Sequence, residues 1–210
     1  MNTPNKLTLS RIICIPFFIV FAVYDFFPFD GAYADWCSRA LAALLFIAAA
    51  VTDFLDGHLA RKHNLVTDFG KFMDPLADKF MVLGAMFALC VSDFAFRYND
   101  LFVYDFCIPS DMLRRFFFWG AVVVLFRELA VTSMRLVVAK SGVVVAANML
   151  GKIKTNTQIV CICVVLLEPM VLPFCRGWLT FASILVMTVF TLWSGIHYIL
   201  SYWKHLDPKK

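Results

Sequence analysis

Six long apolar runs, separated by short polar segments, make up most of this chain. Each run is close to the roughly 20 residues that an α-helix needs to cross a lipid bilayer. The pattern therefore predicts an all-α integral membrane protein with six transmembrane helices, a short amphipathic N-terminal lead-in and a single domain over residues 1–210. The predicted spans are residues 7–24, 37–59, 73–91, 116–138, 148–167 and 178–202.

Composition strengthens the membrane prediction. Hydrophobic residues make up 61% of the 210 positions, and the mean hydropathy is +0.78, whereas soluble domains are about 45–50% apolar. The net charge of +4 is modest, and no basic run alternates with aromatic residues, so nothing indicates a nucleic-acid partner. The first apolar run follows Lys6 and Arg11 and resembles a signal peptide, but we expect an uncleaved signal anchor.

The distribution of Lys and Arg predicts the orientation. Basic residues collect in the segments on one side of the predicted spans, and the opposite segments carry most of the remaining acidic residues. Cytoplasmic loops of membrane proteins are enriched in Lys and Arg. We therefore expect a multi-pass protein of the cytoplasmic (inner) membrane with both termini in the cytoplasm. The basic side comprises Lys6, Arg11, Arg61, Lys62, Lys71, Lys140, Lys152, Lys154, Lys204, Lys209 and Lys210.

Four aspartates lie where the second apolar run ends and the third begins. One group of residues recurs at spacings of three and four, and a second group recurs at every fourth position, so each group forms a stripe on a helix. An Asp in the middle of a membrane helix costs about 2.5–3.5 kcal/mol, which favours a functional site over loop charges that face water. The first stripe is Asp53, Asp56, Gly57, Ala60 and Arg61, and the second is Gly70, Asp74 and Asp78.

Crowded carboxylates repel one another unless cations neutralise them. Their hard oxygen ligands suit Mg²⁺ or Mn²⁺, and ions held in this way commonly bind phosphates as Lewis acids. Arg61 adds a forked donor for a phosphate group, and one aspartate could act as a general base. The residues alone therefore predict a metal-dependent transferase that acts on a phosphate or diphosphate ester at the cytoplasmic membrane surface.

The spacing of these residues resembles a known signature. Asp53-x-x-Asp56-Gly57-x-x-Ala60-Arg61, then eight residues, then Gly70-x-x-x-Asp74-x-x-x-Asp78 is similar to the motif of the CDP-alcohol phosphatidyltransferase family. The resemblance implies a six-helix membrane core, a homodimer, two Mg²⁺ or Mn²⁺ ions and a CDP-linked lipid substrate.

Carried over by position, the resemblance also implies a role for each motif residue. Asp53, Asp56 and Asp74 would bind the metal ions that hold the CDP diphosphate. Asp78 would contact the second metal ion or serve as the base that deprotonates the acceptor alcohol. In the nucleotide pocket, Gly57 and Ala60 would leave room for the cytidine, and Arg61 and Gly70 would complete it.

Weaker similarities concern the acceptor. In these features the chain resembles the bacterial branch of this family that uses sn-glycerol 3-phosphate with CDP-diacylglycerol and releases CMP. They comprise Pro4-Asn5-x-Leu7-Thr8-x-x-Arg11, Arg127-Glu128 with Arg135, Asp74-Pro75-Leu76-Ala77-Asp78-Lys79 and Gly151-Lys152-Ile153-Lys154-Thr155. Arg127, Arg135, Lys152 and Lys154 would then bind the acceptor phosphate, and Asn5, Thr8 and Arg11 would support the site. Alternatively, the two lysines are ordinary cytoplasmic charges, and Arg127 pairs with Glu128 or a motif aspartate.

Other functions compete with this interpretation. Within the family, the acceptor could instead be phosphatidylglycerol, serine or inositol phosphate. An aspartate-rich membrane prenyltransferase also holds a diphosphate with Mg²⁺, but it carries two well-separated aspartate motifs. A cation or proton-coupled transporter is disfavoured because the aspartates cluster at one predicted membrane face instead of near the midplane.

Overall fold

A computed structural model describes residues 3–24, 32–63, 68–98, 108–140 and 149–203. Side chains are described for these residues except 3–7, 32, 54–63, 68–69, 71–72, 139–140 and 203. Within the described ranges, the chain forms six α-helices and no strand, which confirms the all-α prediction. The helices are α1 (Thr3–Val23), α2 (Ala32–His63), α3 (Asp68–Val91), α4 (Ser110–Lys140), α5 (Met149–Val171) and α6 (Trp178–Trp203), with a 3₁₀ turn at Pro173–Cys175.

The helices extend beyond the apolar runs that predicted them. The expected lead-in belongs to α1 itself, which begins at Thr3 with Pro4 in its first turn, a position that proline tolerates well. The predicted fourth span begins at residue 116, but α4 begins earlier, at Ser110. Polar residues continue these helices because helix formation needs only backbone hydrogen bonds, whereas the apolar pattern marks only the buried or lipid-facing part.

Within the described residues, three helical segments are long and apolar enough to cross a membrane: Tyr33–Asp53, Met149–Val171 and Trp178–Tyr202. The apolar part of α1, Thr8–Val23, is shorter. The described residues therefore show an all-helical architecture with three candidate spans, whereas six spans and cytoplasmic termini stay predictions.

The six helices pack as two groups of three. Helix α1 packs against α2 and α3, helix α6 packs against α4 and α5, and the groups meet where α2 contacts α5 and α3 contacts α4. Small residues allow close packing of neighbouring helices. A Cβ added at Gly120 on α4 would lie 3.0 Å from the Met187 methyl carbon on α6. A Cβ added at Gly84 on α3 would lie 3.3 Å from Ile19 on α1.

One end of the bundle contains a buried carboxylate, Glu168, near the end of α5. Its Oε1 accepts a hydrogen bond from the Gly177 backbone N–H at 2.8 Å, and its Oε2 accepts one from the Thr180 N–H at 2.6 Å. The Tyr98 hydroxyl donates to the same carboxylate at 3.3 Å. Burial raises the pKa of Tyr98, so its hydroxyl stays protonated. Glu168 thus satisfies N–H groups at the start of α6, where a negative charge is also favoured by the helix dipole.

Two arginines at this end also bond to the backbone. Arg39 on α2 donates to the carbonyl oxygens of Phe94 and Arg97, and Arg114 on α4 donates to the Ser92 carbonyl at 3.3 Å. These bonds fix the segment that follows α3 against the starts of α2 and α4. We refer to Arg39, Ser92, Tyr98, Arg114, Glu168 and Thr180 as the Glu168 end.

Candidate active site

Helix α1 brings the aspartates of α2 and α3 together. Thr8 and Arg11 lie three residues apart, on one face of α1, and are almost fully buried. The Thr8 hydroxyl donates to Asp74 Oδ1 at 2.9 Å. One Arg11 nitrogen, Nη1, lies 2.6 Å from Asp53 Oδ1 and 3.0 Å from Asp78 Oδ1. The two helices that carry the aspartates therefore meet through side chains of a third helix.

The aspartates remain accessible although their partners are buried. The Arg11 side chain is 0% exposed, whereas the side chains of Asp53 and Asp78 are 34% and 47% exposed, and Asp74 is exposed. A buried guanidinium that contacts two carboxylates offsets part of their mutual repulsion. Buried side chains thus hold the carboxylates in place while the carboxylates stay open to solvent, as a site for a water-soluble charged ligand requires.

The donor chemistry suits a hard divalent cation. Asp53, Asp74 and Asp78 supply carboxylate oxygens, which Mg²⁺ and Mn²⁺ prefer. Among the side chains that the structure describes, no group of three or more His, Cys, Asp or Glu residues is arranged to hold a metal ion. Asp56, the fourth motif aspartate, lies outside the described side chains. The carboxylate oxygens of the three described aspartates thus have the donor chemistry that such a metal ion prefers.

A cavity of about 160 Å³ lies beside the aspartates, between α3, α4 and α5. Its wall on α3 includes Pro75, Asp78 and Lys79, and its wall on α5 includes Lys154. Val82, Leu83, Val124, Glu128, Thr155 and Gln158 complete the lining. A small polar molecule in this cavity would therefore lie next to Asp78, the predicted base.

Glu128 on α4 organises the cations at this cavity. Its carboxylate forms one ion pair with Lys154 Nζ on α5 and another with Arg127 Nη1 at 2.9 Å. Arg127 also donates to the Ser194 hydroxyl on α6 at 2.8 Å, and its guanidinium lies 5.3 Å from the centre of the Tyr198 ring. The predicted Arg127–Glu128 pair is thus present, and Arg127 faces α6 and a separate apolar groove instead of the aspartate cavity.

The remaining predicted site residues occupy different surroundings. The structure does not describe the side chains of Asn5, Asp56, Ala60 and Arg61 or the surroundings of Gly57. Gly70 is buried in the first turn of α3, whereas Arg135 and Lys152 are exposed. Of the four predicted acceptor cations, only Lys154 lines the cavity beside Asp78 among the described residues.

Sequence reasoning assigned no role to Lys79 or Thr132. Lys79 Nζ donates to the Thr132 hydroxyl on α4 at 2.6 Å, and Lys79 lines the cavity. Lys79 follows Asp78 directly, so it points about 100° further round α3 and reaches α4 while Asp78 reaches α1. A charged residue adjacent to a motif aspartate was the available signal, but its helical position alone did not reveal a partner.

Comparison with known proteins identifies the family of the chain. Residues 1–193 match the family model described as CDP-alcohol phosphatidyltransferase. The chain belongs to this family, which confirms the prediction made from the aspartate motif.

Three relatives that match nearly the whole chain carry the same name. The chain is 41% identical to the CDP-diacylglycerol–glycerol-3-phosphate 3-phosphatidyltransferase of Bacillus subtilis (strain 168), over 98% of this chain and 97% of that protein. Proteins of the same name from Salmonella paratyphi A and Escherichia coli (strain K12) are 36% and 35% identical, each over 94% of this chain and 93% of the relative.

Proposed function

We propose that this protein transfers the phosphatidyl group of CDP-diacylglycerol to sn-glycerol 3-phosphate and releases CMP. The observation that carries the proposal is its full-length similarity to proteins named for that reaction, at 35–41% identity. The accessible carboxylates of Asp53, Asp74 and Asp78 around Arg11 support it, because a diphosphate substrate requires such a cation-binding site.

The proposed metal site consists of Asp53, Asp56, Asp74 and Asp78. Two Mg²⁺ or Mn²⁺ ions would supply Lewis-acid stabilisation of the diphosphate when bound. Arg11 engages the Oδ1 oxygens of Asp53 and Asp78, and Thr8 engages that of Asp74. They orient the carboxylates and are therefore proposed as supporting residues, together with Asn5.

The CDP pocket is proposed from the family motif. Gly57 and Ala60 leave space for the cytidine, and Arg61 and Gly70 complete the pocket. Gly70 lies in the first turn of α3, where a residue without a Cβ would allow close approach of a ligand to the backbone.

The proposed reaction has one proton acceptor. Asp78 takes the proton of the acceptor hydroxyl as that oxygen forms a bond to the β-phosphorus of CDP-diacylglycerol. The bond between this phosphorus and the CMP oxygen breaks, and CMP leaves. Asp78 is half-exposed and lines the cavity beside Lys154, which supports its role as base. It is also a proposed metal ligand.

The acceptor phosphate requires cations near Asp78. Lys154 is the best supported of the proposed set because it lines the same cavity. Arg127 contributes through the ion pair that it shares with Lys154 on Glu128. Arg135 and Lys152 complete the proposed set from exposed positions, where they would attract an anionic substrate to the site.

The proposed setting is the cytoplasmic membrane. The bacterial relatives and the three apolar helices support a multi-pass membrane protein, and the basic residues near the aspartates support a site that faces the cytoplasm. The family resemblance supports a homodimer. Light scattering of the detergent-purified protein tests the dimer, and a monomer would contradict it.

A lipid-synthesis assay with purified protein tests the function. It supplies CDP-diacylglycerol, Mg²⁺ and labelled sn-glycerol 3-phosphate, and parallel reactions supply serine, inositol phosphate or phosphatidylglycerol. We expect CMP and phosphatidylglycerophosphate only with glycerol 3-phosphate. Product formation with serine alone would overturn the acceptor assignment.

Chelation tests the metal. Treatment with EDTA should abolish turnover, and added Mg²⁺ or Mn²⁺ should restore it, because the diphosphate would otherwise face uncompensated carboxylates. Calorimetric titration of the protein with Mn²⁺, without substrate, should show binding that Asp74→Asn weakens. Full turnover in EDTA would contradict a metal-dependent reaction.

A further inference from the structure

Two residues on one face of α4 hold lysines from two other helices. Glu128 and Thr132 are four residues apart, so they lie one above the other on the helix. Glu128 pairs with Lys154 of α5, and Thr132 accepts a hydrogen bond from Lys79 of α3 at 2.6 Å. Both lysines line the cavity beside Asp78. Helix α4 therefore fixes the distance between the two ammonium groups across the cavity.

The partner of Lys79 among the described residues is a neutral hydroxyl. An ammonium group has three donors, and within the described part of the chain Lys79 uses one of them, on the neutral hydroxyl of Thr132. Lys154, by contrast, shares the carboxylate of Glu128 with Arg127. Of the acids that line the cavity, Glu128 pairs with Lys154 and Asp78 pairs with Arg11. Lys79 is therefore the cavity charge that has no carboxylate partner among the described residues, and such a cation suits a phosphate group.

The size of the cavity also fits. A volume of about 160 Å³ holds roughly five waters, which is room for a phosphate group and part of a three-carbon chain. Val82, Leu83 and Val124 form an apolar part of the lining, and Thr155 and Gln158 offer polar groups to hydroxyls. An acceptor phosphate held between the lysines would leave its hydroxyl end near Asp78.

We propose that Lys79 and Lys154 together bind the phosphate of the acceptor, and that Thr132 and Glu128 are the positioning residues that set them. This inference rests on the proposed function and adds Lys79 as a substrate-binding residue. Lys79 provides the free donors, and Lys154 provides a second donor whose direction Glu128 fixes. Acceptors without a phosphate group would leave Lys79 without an anionic partner among the described residues and would bind weakly.

Steady-state kinetics with each substrate varied in turn test the proposal. Lys79→Met keeps most of the apolar stem and removes the charge. We expect the KM for sn-glycerol 3-phosphate to rise at least about tenfold, as the loss of a charged hydrogen-bond donor predicts. The KM for CDP-diacylglycerol should change less than about twofold, because Lys79 has no role on that substrate. Arg115→Ala, an exposed charge in the first turns of α4, is the control and should change neither value.

The positioning role has its own readout. Thr132→Val removes the hydroxyl and keeps the shape, so the KM for sn-glycerol 3-phosphate should rise about threefold to tenfold. Thr132→Ser should restore it, and Ser133→Ala, at the exposed neighbouring position, should have no effect. Failure of Thr132→Ser to restore the KM would show that the hydroxyl does not act through Lys79 and would overturn the positioning role.

A binding measurement separates this inference from the proposed function. Equilibrium binding of radiolabelled sn-glycerol 3-phosphate to the detergent-purified protein should weaken at least about tenfold in Lys79→Met. If the wild-type protein forms product and Lys79→Met binds glycerol 3-phosphate normally, the Lys79 assignment is wrong and the function stands. If the wild-type protein forms no product from glycerol 3-phosphate, the proposed function itself fails. Should Lys79→Met not fold, Lys79→Arg and Thr132→Val decide the same question through the acceptor KM.

Discussion

Three helices carry a charged residue near each end of the bundle, and the members of each pair are 14 positions apart, a distance of roughly 21 Å along a helix. The pairs are Arg39 and Asp53 on α2, Arg114 and Glu128 on α4, and Lys154 and Glu168 on α5. At the Glu168 end, most of the partners are backbone groups. At the aspartate end, the partners are other side chains.

This difference separates charges that fix the fold from charges that a ligand could engage. A side chain bonded to backbone groups fixes a loop or a helix end, and a ligand could displace it only by disturbing the fold. Side chains bonded to one another can exchange a partner for a ligand while the helices stay in place. The aspartate end also exposes its carboxylates, whereas Glu168 is only 2% exposed.

The largest expected effect is on turnover, from Asp78→Asn. Loss of the proposed base should lower kcat by about 10³-fold or more. The melting temperature should change little, because Arg11 keeps Asp53 as a partner and one of two adjacent negative charges is removed. Lipid-synthesis rates and thermal unfolding in detergent measure the two effects. Asp93→Asn, an exposed aspartate that follows α3, is the control, and full activity in Asp78→Asn would remove it from the base role.

The corresponding change at the other end, Glu168→Ala, should act on stability. It leaves the Gly177 and Thr180 N–H groups buried without their acceptor, at a cost of about 3 kcal/mol. Glu168→Gln retains an acceptor oxygen and should lose less. The kcat per folded molecule should stay at the wild-type value. A melting temperature equal to wild type would show that the contrast between the two ends is wrong.

The aspartate stripes were predictable because they depend only on helical periodicity within each segment. The residue spacing alone placed Asp53 on one helical stripe and Asp74 and Asp78 on another. The boundaries were less accurate, since apolar runs mark only part of a helix, as the start of α4 at Ser110 illustrates.

Contacts between distant helices could not be predicted in the same way. The pairs Thr8–Asp74 and Lys79–Thr132 are separated by 66 and 53 residues, and periodicity within one helix does not identify the helix that it faces. Thr8 and Arg11 were singled out only through family resemblance. Glu168 was not singled out, because its acceptor role depends on how α6 packs against α5.

Arg11 combines features of the charges at both ends of the bundle. Arg11 is as buried as Arg39 and Glu168, yet its partners are the site carboxylates. Arg11→Ala should therefore lower both activity and stability. The stability loss should be roughly 1–3 kcal/mol, below that of a fully buried pair because Asp53 and Asp78 remain partly solvated. Arg11→Lys should recover part of both, since it keeps the charge without the forked geometry. A loss of stability with normal activity would assign Arg11 to the charges that fix the fold.

The smallest expected effect comes from Tyr98→Phe. The Tyr98 hydroxyl lies 3.3 Å from Glu168 Oε2 and 2.7 Å from the Thr180 hydroxyl, and its removal should cost about 1 kcal/mol near neutral pH. Burial raises the pKa of Tyr98 in the folded protein, so folding favours the neutral phenol. Its contribution is therefore present below the unfolded pKa of about 10 and is lost as the pH rises above that value. Thermal unfolding from neutral to alkaline pH should show the wild type and Tyr98→Phe converging, with turnover per folded molecule equal in both. A difference in stability that stays constant with pH would exclude phenol ionisation as its source.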